Sequence, residues 1–484
     1  MSVAAWLIWW PLAASVALFV VRGPLKPGLG LAASLVAVVP AAQLFDLVRV
    51  GGTLRVETGW PQPLGIELHA DLLSASLIAL TAVVGVTVSA YAFASFRGHH
   101  VTTPWDEAAA FWPLWLMLWA AMNALYLSSD LFNLYVTLEL VTLAAIALVS
   151  LPGTRATLAA AMQYLLATLA GSLAFLFGVA LLYAMHGRLE LFELGRLIEP
   201  GAPALMALGL MSVGLMVKAA FFPFHFWLPD AHGHALPPVS ALLSGLVVKA
   251  GFYLLVRVWF DTFPAVLQPA HGTALGVAAA VGIVWGSLLA IGETRLKRLL
   301  AYSTVAQLGF MLLLFPLVMT SSVPSGGGEA SVLPGWGGGL ALALSHGLAK
   351  AALFLAAGAF IHAAGSDVLR DLGGTARRLP LTAAAFALGT WTLVGLPPSG
   401  GYLAKTLYAE AALASAIPWG WLIQGGTVLT AGYLALALRA GLARRPDGAV
   451  FHDVPLVMQV APLVLALLAA ILDLLPLGFL VGTS

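Results

Sequence analysis

The chain has 484 residues, 61% of them apolar and 9% charged, too few polar groups to clothe a globular surface in water, so it must lie in lipid. Its 22 Lys and Arg nearly balance 21 Asp and Glu, which leaves no basic surface for nucleic acid and no acidic solvating tail. Cysteine is absent, which excludes disulfides, thiolate zinc sites, cysteine-ligated iron–sulfur clusters and a cysteine nucleophile; no metal or cofactor is expected, and electron transfer by clusters would belong to another subunit.

A helix needs roughly 20 apolar residues to cross a hydrocarbon core of about 30 Å. The opening run, MSVAAWLIWW, has no Lys or Arg ahead of it and reads as a first span, not as a cleaved signal peptide. In chain order the segments that qualify lie near 3–21, 28–48, 71–96, 108–127, 130–150, 156–185, 203–222, 238–260, 272–292, 297–319, 337–363, 380–414, 418–440 and 455–481. The expected fold is therefore an all-α integral membrane domain over 1–484 with about 14 transmembrane helices. The glycine run at 321–339 falls between two of them and contains no GxGxxG after a strand, so it reads as a loop and not as a nucleotide site.

Loop Lys and Arg set orientation. With the amino terminus outside, the inner loops hold Arg22, Lys26, Arg97, Arg155, Arg295, Lys297, Arg298, Arg370, Arg377, Arg378, Arg439, Arg444 and Arg445, against Arg49, Arg55, Arg188 and Arg196 outside, with Arg257 as an anchor near an outer helix end. Both termini are expected on the outer side of a multi-pass protein of the cell (inner, plasma) membrane.

Lys218, Lys249, Lys350, Lys405 and Glu139 remain, all inside expected spans. An ionised group at the bilayer centre costs roughly 2.5–3.5 kcal/mol, so such groups pair, hydrate or become neutral. Paired lysine and carboxylate favour charge; separated, both tend to neutrality, and a pair that opens and closes takes up and releases protons. The alternative is structural: intramembrane charges also serve as packing glue.

Two spans are interrupted, by AAFFPFHFWLPDAHGHALPPVS after Lys218 and by GLPPSGGYLAK before Lys405. Proline removes a backbone donor, and irregular backbone at membrane depth is tolerated only inside protein or beside a wet cavity. Breaks at matching places point to an inverted repeat around a transport site. The expectation is two inverted five-helix repeats, spans 4–8 and 9–13, with broken seventh and twelfth helices. The divisions are N-terminal spans in 1–107, repeat one in 108–260, repeat two in 272–440 and a last span in 455–481. The two lysines are 187 residues apart, one before its break and one after, so the match is imperfect.

His225, His232 and His234 with Asp230 lack the i, i+4 pattern of a zinc site; loop contacts and proton uptake or relay both remain open. His346 and Lys350 are four apart and share a helix face, a credible relay step.

DLFNLYVTLEL, VKAAFFPFHFWLPDAH, PVSALLSGLVVKAGFY, KRLLAYSTVAQLGF, HGLAKAALFLAAGAFIH and LPPSGGYLAK together resemble the antiporter-like proton-translocating subunit family. That family includes the M and N subunits of respiratory complex I, the D subunit of Mrp-type Na⁺/H⁺ antiporters and membrane subunits of energy-converting hydrogenases. The resemblance implies that Glu139 and Lys218 form a switch pair. It makes Lys249 the central lysine, His346 and Lys350 the relay, and Lys405 the exit residue. It also implies partner membrane subunits, with protons and Na⁺ as the ions moved. DLFNLYV and the lysine at 405 resemble the Mrp D branch most; the M/N subunits of a complex I-like oxidoreductase or a membrane-bound hydrogenase are the alternative. A non-conducting structural module is a further reading. No nucleophile–base or metal constellation at helical spacing supports an intramembrane enzyme.

Overall fold

In the computed structural model the described residues are 2–57, 67–96, 106–320, 334–413, 415–444 and 450–474. Arg97, Arg445 and positions 321–333 of the glycine run lie outside them. The rest of that run is not a loop: Pro334–Gly339 form the first turns of the eleventh span.

Twelve helices are long and apolar enough to cross a membrane, and two shorter apolar ones, Ala202–Lys218 and Pro380–Val394, fall at the expected interruptions. Capping side chains start the first and the third to sixth spans: Ser2, Asp71, Asp106, Asp130 and Thr154 each accept a hydrogen bond from a free first-turn N–H. The eighth span, Pro237–Thr262, is buried along its whole apolar window, whereas the first is buried over only 28% of its own. The eighth is thus the axis of the bundle and the first lies at its periphery. A two-stranded antiparallel hairpin, β1 (Leu54–Glu57) with β2 (Glu67–Ala70), joins the second and third spans.

The inverted repeat is written in backbone hydrogen bonds. At the start of the fifth span, Leu131 N–H donates to Leu189 and Leu191 N–H to Ser129. At the start of the tenth span, Leu296 N–H donates to Asp367 and Leu369 N–H to Thr294. Five crossings separate the two motifs, so they lie at opposite membrane faces. The sixth and eleventh spans end alike, at Gly187 and Gly365, each with positive φ. Each donates its N–H to the fourth residue back, Tyr183 and Ile361.

The breaks also correspond. In the seventh span Ala220 has φ of 56° and Phe221 N–H donates to Met216; in the twelfth Gly395 has φ of 82° and Leu396 N–H donates to Trp391. The two turns are therefore 175 residues apart, not 187. This resolves the imperfect match, because Leu393, not Lys405, is the counterpart of Lys218.

Candidate functional site: a polar line through the bundle

The seventh span begins with Ala202–Lys218, so Lys218 is the last helical residue before the break, at the partly negative end of the helix. Its ammonium donates to Glu139 Oε1 at 2.9 Å and to Thr142 Oγ1 at 2.8 Å. Ser172 Oγ, from the sixth span, donates to the same Glu139 oxygen. Lys218 is buried and Glu139 is partly exposed. The structure thus forms the pair implied by the resemblance and adds two hydroxyls, Thr142 and Ser172.

Gly251 sets the distance to the next lysine. A Cβ there would lie 2.8–3.1 Å from Ala219, the neighbour of Lys218, so only glycine lets the eighth span approach the break this closely. Two residues before Gly251, Lys249 follows a π-helical stretch, Leu243–Val247. Its ammonium reaches back to the Ser244 carbonyl at 2.5 Å and across to His346 Nδ1 at 2.8 Å. Lys249, His346 and Lys350 are all fully buried. Lys350 donates to the Leu300 carbonyl at 2.8 Å and to Ser303 Oγ.

Hydroxyls on the tenth and thirteenth spans continue the line. Ser244 and Thr304 share a hydrogen bond of 2.9 Å, and Thr304 donates to the same Leu300 carbonyl that Lys350 uses. The Tyr433 hydroxyl is within hydrogen-bonding reach of Ser303, and Gln307 donates to Thr430 at 3.2 Å. One turn from Thr430, Thr427 accepts from Lys405 at 2.9 Å. Lys405 also donates to the carbonyls of Leu393 and Val394, at 3.2 and 2.8 Å, and its ammonium lies 4.7 Å from the centre of the Phe310 ring. It reaches back across the break to the carbonyl of Leu393, the residue equivalent to Lys218. Both breaks therefore have a lysine beside them, but the Lys218 ammonium is met by Glu139 and Thr142, and the Lys405 ammonium by the carbonyls at the break. Glu410 is exposed, and the ammonium of Lys405 is met by carbonyls and a hydroxyl instead.

The three loop histidines separate. His232 is fully buried and stacked on Phe354, with ring centroids 4.7 Å apart. Among the described residues neither of its ring nitrogens has a hydrogen-bond partner. It lies within electrostatic range of Lys350, Lys297 and Lys249. His225 packs against Phe222, and His234 Nδ1 is 3.0 Å from the Asp230 carbonyl oxygen in the same turn. Lys297, read from sequence as a loop cation, is instead buried and donates to Ala235 at 2.7 Å.

Arg257, expected as an anchor near an outer helix end, turns into the protein. It is buried and bridges Asp71 at 2.6 Å and Asp261 at 3.0 Å. Burial pushes the Asp71 carboxyl up, but the Arg257 guanidinium and the Ser74 N–H more than offset this and hold it down at about 2.

This arrangement defines a class: a helical membrane protein with two inverted halves and a row of buried titratable groups. Residues 128–430 match the family described as NADH:quinone oxidoreductase/Mrp antiporter, TM, and the chain belongs to that family. It is 36% identical over 79% of its length to the N subunit of the NADH-quinone oxidoreductase of Desulforudis audaxviator, covering 74% of that protein. It is 29% identical over 74% of its length to the D subunit of the Na⁺/H⁺ antiporter of Alkalihalophilus pseudofirmus, covering 70% of that one. Among solved structures it resembles a chain of the membrane-bound sulfane sulfur reductase, an archaeal respiratory membrane complex, with TM-score 0.88 at 26% identity, covering 99% of this chain and 96% of that one. It shares the fold of a chain of the Mrp complex from Dietzia sp., with TM-score 0.87 at 24% identity over 100% and 96% of the two chains. These relatives are subunits of multisubunit membrane assemblies, and this chain is an antiporter-like membrane subunit of that kind.

Sequence reading missed the hydroxyls at 142, 172, 244, 303, 304 and 427. Serine and threonine are common in apolar helices, where they satisfy their own backbone, so nothing in their spacing marks them. Only the facing helix reveals which hydroxyls bridge charges.

Proposed function

We propose that the chain translocates protons along this line, as a subunit of a monovalent cation/proton antiporter or a related proton pump. The observation that carries the reading is the hydrogen bond between Lys249 and His346 at the centre of a fully buried helix. Two protonated groups 2.8 Å apart would repel by about 6 kcal/mol at an effective dielectric of 20, so one excess proton is shared between them and can be handed either way. Protons are taken up at the face carrying His225, His232 and His234, with His232 as the inward member, and pass to Lys249 and His346, then Lys350, then Lys405. The Glu139–Lys218 pair is the switch: closed, it keeps Lys218 charged; open, it leaves a positive charge beside the eighth span that drives the proton on from Lys249. Both termini then face outward in the plasma membrane.

Two assemblies fit. DLFNLYV and a lysine in the twelfth helix favour an Mrp D-like Na⁺/H⁺ antiporter, with Na⁺ as the coupling ion and small membrane subunits as partners. The 36% identity to an N subunit favours a complex I-like oxidoreductase or hydrogenase module, in which electron transfer elsewhere drives the same line. Vesicles containing the assembled complex separate them: a Na⁺ gradient alone generates a pH difference in the first case, and only redox turnover does so in the second. Lys249→Ala abolishes either; transport at the wild-type rate in that variant refutes the translocation path itself.

A further inference from the structure

A cavity of about 270 Å³ lies near the membrane face that carries the amino terminus. Its wall is apolar over Val256, Leu314 and Gly339, and its polar side is the Asp71–Arg257–Asp261 cluster. The two carboxylates are about a quarter exposed, so the cluster is accessible and lines the cavity. The line of lysines does not account for this space.

A second observation ties it to that line. Tyr408 lies three residues past Lys405 on Gly400–Leu413 and shares its helix face. It is fully buried, and among the described residues its hydroxyl has no hydrogen-bond partner. A buried unpaired hydroxyl costs free energy unless water or a transient partner meets it. The ring lies against Gly338, where a Cβ would come within 2.5 Å of it, and the hydroxyl is 3.4 Å from where a Cβ on Gly339 would stand. Gly339 itself lines the cavity. The glycine pair thus holds open a contact between the hydroxyl and the space beyond.

We propose that this cavity is the water-filled vestibule joining Lys405 to the membrane face of the amino terminus, with Tyr408 as the hydroxyl link and Asp71, Arg257 and Asp261 as its charged mouth. Tyr408 Oη accepts a hydrogen bond on one side and donates on the other, so a proton moves past it while its own charge stays unchanged. The mouth groups do not relay the proton. Asp71 and Asp261 are both paired to Arg257, and this charged cluster keeps the vestibule wet. The vestibule serves the translocation path proposed above, but its hydration is measurable without transport.

The absence of native cysteine makes the test direct. In sealed vesicles carrying the assembled complex, Val256→Cys and Leu340→Cys on the cavity wall should react with a charged, membrane-impermeant thiosulfonate applied at the face of the amino terminus. Leu254→Cys, buried on the same helix away from the cavity, should not. Gly339→Ala places a methyl 2.1 Å from the Leu314 Cδ1 methyl and pushes Leu314 into the space, so it should slow transport and, combined with Val256→Cys, slow modification of the introduced thiol. Gly432→Ala, with nothing within 4 Å, should change neither. Tyr408→Phe should leave modification at its original rate while lowering transport about fivefold, the scale of one lost hydrogen bond. If both wall cysteines resist the charged reagent, the vestibule is dry and the proposal fails, whatever the transport rate. If Tyr408→Phe transports at the full rate, the link through its hydroxyl is wrong.

Discussion

At the scale of single residues, the line separates groups that must release a proton from groups that only hold charge. Lys249 has a backbone carbonyl and an imidazole nitrogen as partners and no carboxylate among the described residues, so no fixed anion ties its proton in place. Arginine would keep the charge but cannot deprotonate at accessible pH. Lys249→Arg should therefore be nearly as inactive as Lys249→Ala, measured as pH change in vesicles; full transport with Arg would make the role purely electrostatic. Glu139 is different, because its carboxylate balances Lys218 and accepts from Ser172. Glu139→Ala should abolish transport while leaving the complex assembled. Glu139→Asp keeps the charge one methylene shorter and should retain part of the rate. Equal activity of the wild type and Glu139→Ala in an ion-driven assay would remove the pair from the mechanism.

The element that matters most is the broken helix. In both repeats the chain turns at a positive-φ residue; in the second the carbonyl end so exposed faces the ammonium of Lys405, whereas in the first Lys218 turns to Glu139 and Thr142. That chemistry predicts the response at Lys405. Two carbonyls and a threonine hydroxyl accept from the lysine, so an ionised carboxylate there would face acceptors and the partial negative end of the helix. Lys405→Glu should work only when protonated, giving low activity with an optimum displaced to acid, and Lys405→Ala should be inactive. Identical pH profiles for Lys405→Glu and the wild type would contradict this geometry. The break also depends on glycine. A Cβ on Gly401 would lie 1.9 Å from the Thr392 carbonyl oxygen, a backbone atom that cannot swing aside. Gly401→Ala should thus cost about 1–3 kcal/mol, visible as a lower melting temperature of the purified complex, and should lower transport with it.

At the scale of the whole molecule, the N-terminal spans are locked to the repeats through Asp71 and Arg257, which join the third span to the eighth. The Asp71 carboxyl is held at about 2, against 3.8 for a free aspartate. A depressed carboxyl stabilises the fold above its unfolded value and loses that contribution as pH falls through the folded one. The lock should accordingly hold at full strength above about pH 4 and weaken down to about pH 2. Asp71→Asn should lower the melting temperature at neutral pH and flatten its fall in the acid range. A variant that melts like the wild type at neutral pH would show that the pair contributes nothing to stability.

How much of this was legible in the chain depends on what carries each feature. Span positions follow from runs of apolar residues long enough for the bilayer, a local property, and the sequence determined them. It also exposed Glu139 and the four lysines, because charge inside an apolar run is costly and stands out against its neighbours. Tertiary structure alone decided the rest. It showed that Lys297 and Arg257 are buried against other parts of the chain, since long side chains fold inward or outward according to the helix beside them. The repeat offset came out at 175 because backbone turns, and not lysines, are the geometry that recurs between the two halves. Bridging hydroxyls, the unpaired nitrogens of His232 and the space beside Tyr408 exist only where helices far apart in sequence meet, and no local pattern encodes that meeting.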